Sequence, residues 1–395
     1  IDLEQGNNAD GGSILVPSGS PNLYADAAGY SLTLNTATTS GTAGNVALAL
    51  VDDNGGGNDF LRLLQVTATG SVANGIIALN GNVTVNGGGA GSDAIVLTGN
   101  TTIATGATTT LSAAGAGGSG IVRIVGPVTG AGVGTNLTLN ATTAQINGTW
   151  TVDGNVDLAP SVSGVTLLGN TIINTTGGPG NILLANTLGA HQLTLNGNNI
   201  TLNQVGNGAS DPTQLTATAT LLLNLMGDLT VDGVVTLGGI VAPGGLGSVL
   251  PVTITVPNTG STDRVIFSPG SILDVDIASA GSYDQINVAG RRVDLNNVTF
   301  QGSLLGGYIP APGTVFTAIS NDGTDSLQDT GPQTSVVLTG REFGIQYNTG
   351  SSNNDVTFTR VSGVWTWLGT AGDGLWSTGA NWDKGTEPTD NAALL

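Results

Sequence analysis

The chain has 395 residues, with 64 glycines, one histidine and no cysteine, and it sets eight Lys and Arg against 27 Asp and Glu for a net charge of −19. Phosphate backbones and anionic lipid would be repelled by that balance, which excludes nucleic acid and acidic membrane surfaces as partners. A single histidine, His191, with no cysteine excludes ordinary zinc sites and speaks against Ser-His-Asp catalysis.

Hydrophobic residues are 39% of the chain but aromatics only 4% and charged residues 9%. A core must therefore come from Val, Leu, Ile and Ala, and a surface from Thr, Ser, Asn and Gly. The chain starts Ile1-Asp2-Leu3-Glu4 without a basic and apolar leader, so its start reads as processed or excised. Short alternating strands follow: Ser31 to Asn35 is SLTLN, Asn82 to Asn86 NVTVN, Asn136 to Asn140 NLTLN, Gln192 to Asn196 QLTLN and Asp228 to Asp232 DLTVD. Their first apolar residues lie 51, 54, 56 and 36 positions apart. That spacing fits two or three coils of about 18 to 28 residues between matches, with corner loops of varied length.

The stretch from His191 to Gly208 displays the unit. Leu193 and Leu195 alternate with Thr194; Asn196, Gly197, Asn198 and Asn199 make a bend; Ile200 and Leu202 then resume the apolar face. So short a stretch leaves no room for a crossover helix, and the narrow apolar face must be buried on copies of itself. Asn-Gly also marks antiparallel hairpins, but the bends here are long clusters rather than two-residue turns. The fold expected is all-β, a right-handed parallel β-helix (β-solenoid) over most of the chain, with residues 1–242 as its uniform part. Its apolar alternates would point inward and its Thr and Asn would form outward ladders. At roughly 20 residues per coil and ~4.8 Å per rung, it would be a rod of about 90 Å. No apolar run approaches the length of a membrane span; the densest patch, Leu221 to Met226, is broken by Asn224.

Motifs with chemistry are few. Gly88 to Val96, GGAGSDAIV, fits the calcium-binding nonapeptide, and Asn54 to Arg62 misses it at its first position. Calcium rolls share each ion between tandem copies, whereas these two are isolated, one starting at Asn54 and the other at Gly88. Calcium is the one cofactor the motifs admit, with Asp59 and Asp93 as its candidates. The nearest approach to a catalytic acid group is Asp52, Asp53 and Asp59 with Arg62, too sparse for lyase or hydrolase chemistry, so no enzyme is expected. Asn-x-Thr sequons at Asn82, Asn100, Asn136, Asn140, Asn147, Asn174, Asn199 and Asn297 arise from the N-x-T strand composition itself.

From Pro243 onward the texture changes: eight of 14 prolines, twelve of the sixteen aromatics and five of seven arginines lie there. Residues 243–363 therefore form a β-rich module or a continuation of the solenoid. In 364–395 four of the five tryptophans, Trp365, Trp367, Trp376 and Trp382, fall close together. Such density must pack as a Trp-clasped cap, stack on sugar rings, or contact another chain.

The run from Gly374 to Ala392 resembles the signature that opens repeats in bacterial autotransporter-associated β-strand repeat proteins, through Trp376, Ser377, Asn381, Trp382, Gly385, Pro388 and Asp390. Asp284 to Gly290 (DQINVAG), Gly313 to Phe316 with Asn321 to Asp325, and Asn354-Asp355-Val356 resemble further strands of the same proteins, so the likeness covers about 240–395. It implies a right-handed parallel β-helix displayed outside the cell and no catalysis. The absence of cysteine agrees with a bacterial surface protein held together by its sheet. Two functions follow as expectations: a structural repeat unit of an extracellular filament or sheath, and an adhesin presenting a face to glycans or another cell. Read across a join, Leu394 and Leu395 continue into Ile1 and Leu3 as one strand. Copies of the chain are therefore expected as head-to-tail partners, through Ile1, Leu3, Leu394, Leu395 and the four clustered tryptophans.

Overall fold

A computed structural model describes residues 12–16, 23, 29–52, 60–114, 119–159, 164–256, 263–321, 325, 327–329, 331–350, 354–361, 364–365, 367–382, 387 and 393–394. The molecule is a parallel β-solenoid. Each coil crosses three faces in turn before stacking on the previous coil. The first face carries Ser31–Asn35, Leu63–Ala68, the start of Asp93–Ile103, Ile121–Val125 and their successors up to Gln285–Ala289. The second runs from Ile14–Leu15 and Val46–Leu48 through Val128–Gly130 to Val293–Asp294. The third runs from Val83–Thr84 and Thr108–Ser112 through Ile182–Leu184 to Thr299–Gln301.

Alternation puts the apolar residues inside, and stacking lines them up in files. On the second face the inward file reads Val46, Ile77, Thr101, Val128, Trp150, Ile173, Leu195, Ala217, Leu237 and Phe267, each directly over the last. Every member is at most 1% exposed. No single coil could bury such a row; the stack does it for all of them.

The corners explain the glycine and asparagine content. Gly99, Gly126 and Gly148 have φ of 143°, 123° and 89° and sit one above another where the first face turns into the second. A Cβ on Gly126 would come within 2.4 Å of the Gly99 carbonyl oxygen, so these positions need glycine for both angle and space. At the entry to the third face, asparagines form the expected ladder. Asn136 Oδ1 accepts the N–H of Asn155 (2.7 Å), Asn155 Oδ1 that of Asn181 (2.9 Å), and Asn181 Oδ1 both the N–H and the Nδ2 of Asn199 (3.2 and 2.8 Å). Asn181→Ala should lower stability by about 1–2 kcal/mol in urea unfolding, because it strands an amide at a corner; an unchanged midpoint would deny the ladder that role.

Two details differ from the sequence expectation. Gln192–Leu202 is one continuous strand, and the expected bend at Asn196–Asn199 is a register shift between Gly197 and Asn199 that swaps which parity points inward. A solenoid corner can be turned by a one-residue slip in the ladder without leaving it. The coils are also longer on average than expected, ranging from the short one between Thr187 and Val205 to the long one between Val252 and Ile286. Twelve levels on the first face, from Leu32 to Asn321, at ~4.8 Å give a stack of roughly 55 Å, shorter than the expected rod.

The ladder passes through residue 243 unbroken, since Val234–Pro243 pairs with Gln214–Leu225 on one side and with Arg264–Phe267 and Ile272–Asp274 on the other. The pairing changes sense later. Val315–Asn321 lies parallel to Gln285–Ala289 but antiparallel to Asp355–Arg360, which continues antiparallel to Arg341–Thr349 and then to Ser335–Leu338. The aromatics of this half fill that closing sheet: Phe316 meets Tyr283, Tyr308 and Phe343 at an edge, and Phe300 meets Phe358. Beyond it, Val364–Trp365 pairs with Ala393–Leu394 in a separate two-stranded sheet, again parallel. No helix among the described residues is long and apolar enough to cross a membrane.

Candidate functional site

Asp93 stands at the start of a ladder strand, and its carboxylate faces a guanidinium, Arg123 Nη2, at 2.9 Å. Asp59, its proposed companion, and Asp53 lie outside the described residues. Arg62 turns to Ser31 Oγ at 3.4 Å. His191 is a half-buried corner residue whose N–H bonds the Gly189 carbonyl (2.8 Å).

One group of three carboxylates among the described residues comes close enough to share an ion: Asp274, Asp276 and Asp284, whose nearest oxygens lie within 4.8 Å of one another. All three residues are buried. Strand Ile272–Asp274 and the residues after it alternate Leu273, Val275 and Ile277 inward with the two aspartates on the other side; Asp284 arrives from across the hairpin of Ile277–Ser279 and Ser282–Tyr283. Five of their six oxygens accept hydrogen bonds. Asp276 takes the N–H groups of Gly247 (2.6 Å) and Ser303 (2.8 Å), Asp284 those of Leu250 (2.8 Å) and Asp276 (2.9 Å), and Asp274 the amide of Gln301 (2.7 Å). Calcium wants six to eight oxygens, whereas these five donors describe a clasp tying residues 247–250 to the hairpin. Burial raises all three acids; Asp284 is pushed up to about 7, with the Asp276 and Asp274 charges adding to the effect. The sequence signal for this cluster is the D-x-D alternation Asp274-Val275-Asp276 set before Asp284 of the DQI motif. It carries none of the letters of a metal-binding loop, and the glycine-rich nonapeptide does.

The tryptophan segment folds as a knot around Asn381, which is fully buried. The Asn381 amide nitrogen donates to Asp373 Oδ1 (2.6 Å) and the Leu375 carbonyl (3.0 Å), its Oδ1 accepts the Ala371 N–H (2.9 Å), and its carbonyl accepts the Leu368 N–H (2.7 Å). The Thr378 hydroxyl, the Leu375 N–H and the Asn381 amide hold the Asp373 carboxyl below the usual range. Trp382 is 4% exposed and takes Trp367 and Trp376 edge-on, at centroid distances of 4.9 and 4.7 Å; its Nε1 donates to the Trp376 carbonyl. Trp367 and Trp376 remain partly exposed beside Leu368 and Leu375. Asn381→Ala should red-shift the tryptophan emission while leaving the far-UV spectrum of the solenoid unchanged, because the knot's bonds are internal to residues 367–382; an unchanged emission would show that Asn381 does not organise it.

The expected self-association residues divide in the same way. Leu394 and Trp365 are register partners in the short parallel pair, Trp367, Trp376 and Trp382 form the knot, and Ile1, Leu3 and Leu395 lie outside the described residues. Of the sequon residues, Asn136 and Asn199 spend their side chains in the corner ladder.

No protein-family model matches the chain, and no curated protein matches it either.

Proposed function

We propose that the chain is a structural unit of a bacterial surface filament or sheath, a solenoid rod set in series with further rods of the autotransporter-associated repeat type. One observation carries this reading. After the antiparallel strands close the main stack, the chain returns to parallel pairing, with Val364 matched to Ala393 and Trp365 to Leu394. That separation along the chain is close to one coil in the neighbouring part of the stack, where Val265 pairs with Val293. The pair thus has the spacing of an opening coil, with the Trp knot between its two strands. Parallel coils stack on parallel edges, so the strand Ala393–Leu394 offers the edge on which a following coil, covalently continuous or from a second copy, would add. A surface nearly free of cations and a net charge of −19 keep such rods from bundling on acidic surfaces. The location outside the cell belongs to the same proposal, supported by the cysteine-free composition and the repeat signature.

Negative-stain microscopy of native material tests it. Filaments or strings with an axial period matching one unit are expected. Monodisperse short rods, unaltered by Leu394→Asp, would refute serial assembly.

A further inference from the structure

The first face of the solenoid is not uniform. Its strands shorten level by level, from the full run of Ile121–Val125 to the shorter pairing at 164–167, then to Thr187–Leu188, and finally to a single bridge at Val205. The coil that causes this is the shortest described, running from Thr187 to Val205 on this face and from Ile182 to Ile200 on the third. A short coil cannot span the full width of its neighbours, so the side-chain layer steps inward and leaves a recess. The recess is a groove of about 290 Å³ open to solvent, lined by Thr143, Thr166, Asn186, Leu188, Gln204 and Asn207 among others. Its far wall includes Gly206, where φ is 73° and an added Cβ would lie 2.1 Å from the Thr230 carbonyl oxygen, so that position needs glycine.

The chemistry of the lining is selective. In a chain with 27 acids, none of the described residues lining the groove is ionisable. Amides stand on the rim, those of Asn186, Gln204 and Asn207, all exposed. Asn207 is held in place because its Oδ1 accepts the N–H groups of Ala209 and Ser210 (3.0 and 3.3 Å), while its Nδ2 remains a donor. Threonine hydroxyls, which donate and accept, come from Thr143 and Thr166, and Leu188 gives an apolar floor. An anion would find no cation among the described lining residues and would meet the buried Asp211 carboxylate behind the wall, whose Oδ1 accepts the N–H groups of Asn207 and Gly208 (2.7 and 2.8 Å). A purely apolar ligand would leave the rim amides unpaired. What fits is a ligand dense in neutral hydroxyls that also carries a C–H face, at the small end of ligand-sized pockets.

We propose that this groove binds one or two residues of an uncharged glycan, entering from the open side with the ring's C–H face on Leu188 and its hydroxyls on the amides and threonines. The assignment does not depend on serial assembly, since a single rod contains the whole groove.

Titration of the purified chain with maltotriose, mannotriose and chitotriose, with trigalacturonate as the charged comparison, tests it. At least one neutral trisaccharide should bind with Kd on the order of 1 mM or tighter, and trigalacturonate at least about tenfold more weakly. Thr166→Arg, which fills the recess from an outward strand position, and Gln204→Ala, which removes an exposed amide, should each weaken binding about tenfold. The Gln204→Ala chain should keep the parent melting temperature. Failure of all three neutral sugars to bind would overturn the proposal, as would equal binding by both variants. Binding lost with Trp376→Ala but retained in Gln204→Ala would move the glycan to the tryptophan knot and overturn it too.

Discussion

Trp150→Ala should cost about 3–5 kcal/mol, the range for emptying a large buried aromatic site. The tryptophan has no exposed surface and is the bulkiest member of its file, between Val128 below and Ile173 above. Its Nε1 donates to the Asn147 carbonyl at 3.1 Å, the same residue whose Oδ1 takes the Gly126 N–H at the glycine corner. Neither neighbour can collapse into the space, because each is fixed by parallel pairing above and below. In a solenoid the damage is local: a coil contacts its neighbours and little else. Hydrogen exchange in Trp150→Ala should therefore accelerate strongly between residues 121 and 174 and little between 264 and 301. Trp150→Phe keeps most of the volume and should lose about 1 kcal/mol, chiefly the hydrogen bond. A loss below ~1 kcal/mol for the alanine variant, or acceleration spread evenly along the rod, would mean that the file is not the unit of stability.

Parallel coils were legible in the sequence because period-two alternation with no helix-length segment leaves few architectures, and the recurring LTLN strands sit on the stacked faces: Asn136–Asn140 and Gln192–Leu202 are both ladder strands. Coil length was not legible. It depends on how many residues each corner holds, and a corner built from a register slip at Gly197 and Asn199 looks, in one dimension, like the same Asn-Gly cluster as a longer loop. The antiparallel closing sheet was hidden for a related reason, since Asp355–Arg360 has the same alternation whichever way its neighbours run. Site residues were harder still. The glycine motif around Asp93 attracts notice through its letters, yet the aspartate faces Arg123, a full coil further along the chain. The groove has no motif at all: it follows from the short coil between Thr187 and Val205, a property of register.

Stability should fall as pH rises from about 4 to about 7, and the buried aspartate clasp is the cause. Asp284 is raised from 3.8 to about 7 by burial first and by the charges of Asp276 and Asp274 after it. The unfolded chain would ionise this group near ~3.9. Between those values the folded state holds a proton that the unfolded state has released, so folding is favoured most at the acid end, and that advantage is lost as pH climbs through the folded value. The amount is on the order of 1–2 kcal/mol once solvent screening is discounted. Exposed Asp373, whose carboxyl is lowered by its hydrogen bonds, works in the opposite sense below the usual carboxylate range and so does not mask the effect above pH ~5. Asp284→Asn separates the charge from the shape. The neutral acid can accept from both the Leu250 and Asp276 N–H groups, because its hydroxyl oxygen keeps a lone pair, whereas the amide nitrogen of asparagine only donates, so the variant should be less stable than the parent at pH 5. At pH 8, where the parent must bury an anion beside two others, the gap should close or reverse. Melting curves at pH 5, 6.5 and 8 decide the matter: parent and variant lines that cross or converge support the clasp, and parallel lines, or a parent melting temperature that rises toward pH 8, would refute it.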